Sequence, residues 1–276
     1  MDLTRVEDVR TALRLAGIKP NKGLGQHFLV DRPSLEAIMD AADISHHDTV
    51  LEIGPGLGVM TKPLAEKSGA LVAVETDHIL ADLLRRDAPA NLTVVEQDIL
   101  QFDLESLPKN YKAIANIPYY LTSKIFRLLI ESPNPPSLMS VLIQKEVAER
   151  IVAKPGQMSI LALSVQYYGT AEIVRIVERH KFWPAPNVDS AVLRVKITGP
   201  AFAADPHKLF RLIKAGFGEK RKQLKNSLAG ALNLSPEFTI KLIADAKLKD
   251  TARAQELSLP DWERLYKLAM KHDLLA

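Results

Sequence analysis

The segment LEIGPGLGVMT (51–61) carries glycine at alternate positions, Gly54, Gly56 and Gly58. Glycines there let the backbone turn tightly and approach a ligand with no Cβ in the way. The spacing is G-x-G-x-G rather than the G-x-G-x-x-G of dinucleotide sites, and no Walker lysine follows, so a phosphate cradle is not expected. Glu52 stands just before the turn. Two acids follow downstream: Glu75, placed to accept both hydroxyls of a ribose, and Asp98, placed to accept from an adenine amino group. A glycine turn followed by two spaced acids has the chemistry of a nucleoside crevice.

Those residues need a frame that brings them to one edge, and the hydrophobic pattern supplies it. Apolar, β-branched runs occur at TVLEI (49–53), ALVAVE (70–75), LTVVEQ (92–97), YKAIAN (111–116) and SLMSVLIQ (137–144). Helical periodicity fills the gaps near 59–68, 78–86 and 122–131, which predicts a parallel sheet covered on both faces. EIVRIVERH and VDSAVLRVKI read as late, antiparallel additions to that sheet. Upstream, Thr4-Arg5-Val6-Glu7 has the capping-box form and opens a short helix that Gly17 can close; a second helix runs from about Pro33 to Ala42. ITGPAFAADP (197–206) reads as a linker, and helical periodicity dominates after it. Glu75 and Asp98 then follow successive strands, in register with the glycine turn.

This combination resembles the class I S-adenosylmethionine-dependent methyltransferases, which have a Rossmann-like sheet. The resemblance implies S-adenosylmethionine as cofactor, with the glycine turn at its methionine part, Glu75 on the ribose and Asp98 on the adenine. It also gives a place to Asn116-Ile117-Pro118-Tyr119, which ends the fourth strand awkwardly for a strand or a helix. An aromatic amine is a poor nucleophile because its lone pair is delocalised. The Asn116 side-chain oxygen and a backbone carbonyl, most simply that of Ile117, can hold such a nitrogen with its lone pair aimed at the methyl group. Pro118 stiffens the turn and Tyr119 offers a face for a base. This is catalysis by positioning and electrostatics. KFWPAPNVDSAVLRV (181–195) adds Phe182 and Trp183, and Phe182 opposite Tyr119 would clamp an extruded base.

KGLGQHFL (22–29), LEIGPGLG, NIPYYLTS, QKEVAERI (144–151), FWPAPNVDSAV, GEKRKQLKNSL (218–228) and RAQELSLPDW (253–262) together resemble the ordered motifs of the rRNA adenine dimethyltransferase family. The likeness runs from about residue 19 to 265. It implies a methyltransferase domain (1–199) followed by a small all-α RNA-binding domain (200–276). The implied reaction dimethylates two adjacent adenosines near the 3′ end of the 16S rRNA in the small ribosomal subunit, as part of ribosome biogenesis. By position, His27, Leu29, Gly54, Gly56, Glu75, Asp98 and Asn116 take cofactor-binding roles. His27 stands where asparagine is frequent in the family, and the sequence does not fix which ring nitrogen would bond.

Composition is consistent with this. Hydrophobic content of 47% and charged content of 25% are those of a globular chain, and zero cysteines exclude disulfides, thiolate metal sites and cysteine nucleophiles. No membrane span or signal peptide is evident and cysteine is absent, so a cytoplasmic chain with no membrane partner is expected; a monomer is expected besides. Residues 201–276 hold 14 Lys/Arg against 9 Asp/Glu, a balance of +5 within a total of +3. Lys220, Arg221, Lys222 and Lys225 are the densest cations there and are expected to meet RNA phosphates. Two alternatives stay open: a 23S rRNA methyltransferase conferring antibiotic resistance, and a mainly non-catalytic assembly factor on the same fold.

Overall fold

The computed structural model describes residues 1–20, 25–219 and 222–275. Nine strands are described: β1 (Phe28–Leu29), β2 (Thr49–Ile53), β3 (Ala70–Glu75), β4 (Leu92–Glu96), β5 (Lys112–Asn116), β6 (Leu138–Gln144), β7 (Gly169–Val177), β8 (Phe182–Trp183) and β9 (Ser190–Ile197). Seven form one sheet in the order β4-β3-β2-β5-β6-β9-β7, and β1 pairs with β8. The β4 to β6 part is parallel throughout, whereas β9 runs antiparallel to β6.

The central strands are apolar on both sides because both sides are covered. Val50, Ile114, Leu142 and Val192 pack with Leu35, Ile38 and Met39 of helix Arg32–Ala42 and Leu64 of helix Thr61–Lys67. Leu51, Ala113 and Val141, of opposite parity, are equally buried at 0% exposure. Chain order reverses at β2: β3 lies on one side of it and β5 on the other. The crevice at the carboxyl ends of strands beside such a reversal is the usual ligand position in open α/β sheets. The glycine turn, Glu75 and Asn116 end β2, β3 and β5 there.

Local signals set most element ends. Asp31 accepts the Ser34 amide (3.0 Å) and caps helix Arg32–Ala42, and Asp77 accepts the Ile79 and Leu80 amides to cap helix His78–Arg86. The expected capping box at Thr4 does not form. Helix Val6–Leu15 begins after Arg5 with no side-chain cap, and the Thr4 hydroxyl donates to Asp2 instead, at 2.6 Å. Asp2 is the nearer acceptor and also takes the Thr4 amide. Gly17 does close that helix, at φ +68°, with Ile18 donating back to the Leu13 carbonyl.

The chain divides into two compact units, Met1–Glu149 with Thr170–Ile197, and Arg150–Gly169 with Thr198–Ala276. The second is helical. Its core gathers Leu209, Leu212, Leu228, Leu242 and the fully buried Trp262, together with Ala162, Leu163 and Tyr167 from helix Ile160–Tyr168. The segment read as a linker is tied to that helix: Thr198 and Gly199 donate to the Tyr168 carbonyl, Ala201 donates to Tyr167, and Phe202 packs edge-on against the Tyr167 ring. A Gly/Pro/Ala-rich composition signals irregular backbone, not freedom from packing. Among the described residues, no helix is long and apolar enough to cross a membrane.

Candidate active site

The three glycines of the turn do different work. Gly54 has φ +65°, and nothing lies within 4 Å of where a Cβ would stand, so backbone faces open space. The Gly56 amide donates to Glu75 Oε2 at 3.0 Å. At Gly58 a Cβ would meet the Leu84 side chain at 2.8 Å, so this glycine serves packing against helix His78–Arg86.

Glu75 is buried, and its other oxygen accepts the amides of Thr76 (2.9 Å) and Asp77 (3.0 Å). Three backbone donors thus fix the carboxylate at the end of β3, two on Oε1 and one on Oε2, and leave a lone-pair site on Oε2 for a hydroxyl donor. Burial pushes its pKa above the ordinary carboxylate range, against the pull of those amides. Beneath it, Glu52 is fully buried, with neither oxygen bonded among the described residues. Burial, opposed by the nearby Thr61 hydroxyl and reinforced by the Glu75 charge, pushes Glu52 up to about 8, so it is neutral at pH 7. A neutral Glu52 spares the site two adjacent negative charges. Asp98 is partly buried and accepts the Leu100 amide at 3.0 Å through one oxygen, so its second oxygen can still accept from a ligand.

On the opposite side of the crevice the residues are held by partners far along the chain. The Asn116 amide nitrogen donates to the His27 carbonyl at 3.0 Å. A carbonyl only accepts, so this bond fixes the amide orientation and leaves the Asn116 Oδ1 as an acceptor. Ile117 is buried, its amide donates to Leu142, and its carbonyl has no partner among the described residues. Pro118 (φ −54°) leads into the single 3-10 turn Tyr119–Leu121. The Tyr119 hydroxyl bonds Ser190 Oγ at 2.8 Å, and burial raises the phenol's pKa. His27 Nδ1 lies 2.7 Å from the Pro184 carbonyl, so Nδ1 carries the proton and donates. Its ring is stacked with Tyr119, centroids 6.1 Å apart and 22° between planes.

Other expected residues fall differently. Leu29 is 1% exposed, so only its backbone can face a ligand. Phe182, opposite Leu29 in the β1–β8 pair, is 3% exposed and packs in the apolar cluster with Leu35 and Ile38. Its ring therefore offers no open face opposite Tyr119, and the expected two-ring clamp is not formed. Lys220 and Arg221 lie outside the described residues. Lys222 pairs with Glu219 at 2.7 Å and Lys225 pairs with Asp250, so both cations already have acidic partners. Ser190, the Pro184 carbonyl and Arg10, which lies over the Trp183 ring, carry no signal in the sequence, because each acts on a residue remote in the chain.

The family model described as "Ribosomal RNA adenine dimethylase" matches residues 17–271. A relative named ribosomal RNA small subunit methyltransferase A from Dehalococcoides mccartyi (strain BAV1) is 40% identical over 255 residues, 90% of this chain and 88% of the relative. Its namesake from Streptococcus pneumoniae (strain P1031) is 41% identical over 274 residues, 93% of this chain and 94% of the relative. Among solved structures, a dimethyladenosine transferase from Plasmodium falciparum superposes with a TM-score of 0.80 at 24% identity, over 89% of this chain and 98% of that one. The 23S rRNA methyltransferase ErmE gives 0.72 at 26%, over 87% and 98%. The fold is that of these methyltransferases.

Proposed function

This chain belongs to the ribosomal RNA adenine dimethylase family, and from that premise we propose that it dimethylates the exocyclic amines of two adjacent adenosines near the 3′ end of small-subunit rRNA, with S-adenosylmethionine as cofactor. The observation that carries the chemistry is the Asn116–His27 bond, which leaves an amide oxygen at the end of β5, one residue from the unbonded Ile117 carbonyl. Two acceptors side by side suit an amine that carries two protons, and they favour the nearer-tetrahedral geometry of the attacking nitrogen.

The cofactor fits the residues present. Open space at Gly54 admits a ligand against the backbone, the fixed Glu75 carboxylate keeps a lone-pair site for a ribose hydroxyl, and the second oxygen of Asp98 suits an amino group. When bound, S-adenosylmethionine supplies an electrophilic methyl group on its sulfonium. The chain's own work is to hold and align. Tyr119, fixed through its hydroxyl and backed by His27, offers its other face to the target base, Pro118 sets the turn, and the buried Phe182 supports the β1–β8 pair behind it. No side chain need act as a strong base, because the amine becomes acidic only as it is methylated. Lys222 and Lys225 would exchange Glu219 and Asp250 for phosphates on RNA binding.

The small-subunit substrate rests on relatives about 40% identical, against 26% for the 23S enzyme. The deciding assay incubates the protein and labelled cofactor with unmethylated small subunits and, separately, with naked large-subunit RNA. Label is expected in the first; label confined to the second overturns the substrate reading.

A further inference from the structure

We propose that Arg10 and Arg14 form a phosphate-binding face for the RNA strand flanking the target adenosine, with Trp183 as the platform that holds Arg10. The guanidinium carbon of Arg10 lies 5.2 Å from the centre of the Trp183 ring, within cation–π range. Both arginines are exposed on helix Val6–Leu15, and as an i, i+4 pair they share one side of it. Neither has an acidic partner among the described residues, which is also true of Arg5, Arg86, Arg175 and Arg179 in the same unit; what distinguishes this pair is the seat of Arg10 on Trp183.

The position is as informative as the charge. Trp183 leads directly into Pro184, whose carbonyl accepts from His27, and the His27 ring is stacked with Tyr119. A continuous run of contacts therefore joins Arg10 to the ring proposed to carry the target base. The helix that bears the arginines is fixed: Val9 and Leu13 are 1% and 2% exposed and pack with Leu57 of the glycine turn and Leu80. Cations on a rigid element position a strand better than cations on a loop. Arginine suits the task, because its planar fork meets phosphate oxygens in pairs and keeps outward N–H groups while stacked on an indole.

This inference rests on the RNA-substrate reading but is tested separately, by the affinity of fluorescein-labelled oligoadenylate as a function of salt. Each lost phosphate contact removes about 0.7 from the slope of log K against log salt for a single strand. Arg10→Gln with Arg14→Gln should lower that slope by roughly 1.4 and weaken binding about tenfold per site. Arg10→Lys should keep the slope while binding more weakly, since it retains charge but not the fork. On small subunits the loss should fall on KM rather than kcat, with cofactor affinity unchanged. An unaltered slope in the double variant overturns the proposal. Should Arg10→Gln unseat the helix, Arg14→Gln alone decides, since Arg14 makes no ring contact; an unchanged slope there also overturns it. A protein showing the arginine-dependent slope but no methyl transfer to small subunits would overturn the substrate reading and leave this one standing.

Discussion

The two sides of the crevice are built by different means. On the cofactor side, Glu75 is held by the amides of the next two residues and by Gly56, only 19 positions away. On the target side, Asn116 is held across 89 positions, Tyr119 across 71 and His27 across 157. The first is a local device of strand end, turn and backbone donors. The second exists only once β1, β5, β8 and β9 have been brought together. A change on the cofactor side should therefore cost affinity at one point, whereas a change on the target side should disturb a linked set of positions.

The sharpest way to break that contrast is Asn116→Ala, which removes both the amine acceptor and the bond to His27. Loss of one preorganised polar contact to a reacting group costs about 10²–10³-fold in kcat, and here cofactor affinity should stay within a modest factor. Methylation at the normal rate would refute the acceptor role. On the other side, Glu75→Ala should weaken S-adenosylmethionine binding by roughly tenfold to a hundredfold, the scale of one hydrogen bond to a charged group, as calorimetry would read it. Because burial raises the Glu75 pKa, its carboxylate is lost earlier on acidification than an ordinary one. Cofactor affinity should accordingly fall with falling pH from above the usual carboxylate range, and this fall should vanish in Glu75→Ala.

The smallest effect expected lies beneath both sides. Glu52 ionises near 4.5 in the unfolded chain and at about 8 in the folded one. Its contribution to stability is complete below 4.5 and is lost as pH rises to about 8. The slope is at most about 1.4 kcal/mol per pH unit. Glu52→Gln should flatten that part of the stability profile in urea unfolding at pH 5 to 8, with little change in transfer. A profile identical to the parent's would mean that Glu52 is not held neutral.

What could be read in advance follows the same division. Strand ends at Ile53, Glu75 and Asn116 coincide with the expected ones, because long apolar runs buried on both faces leave one plausible boundary. The capping box at Thr4 failed although the residue types were right, since Asp2 competed for the same hydroxyl. The aromatic type of Phe182 suggests ring chemistry, yet its pairing with Leu29 turns it into the core. Segment 150–169 gave no sign that it completes the helical unit, because the residues it packs against lie beyond the intervening strands.

By itself the sequence determined the parallel sheet, the glycine turn with its acids, and the NIPYY ending of β5, because each is specified by neighbours within a few residues. Only the tertiary structure decided which way the Asn116 amide points, which nitrogen of His27 carries the proton, that Phe182 is closed to a base, and that Arg10 lies over Trp183. Those are relations between residues far apart in the chain. A sequence states which groups exist, whereas burial and distance decide which partners they meet.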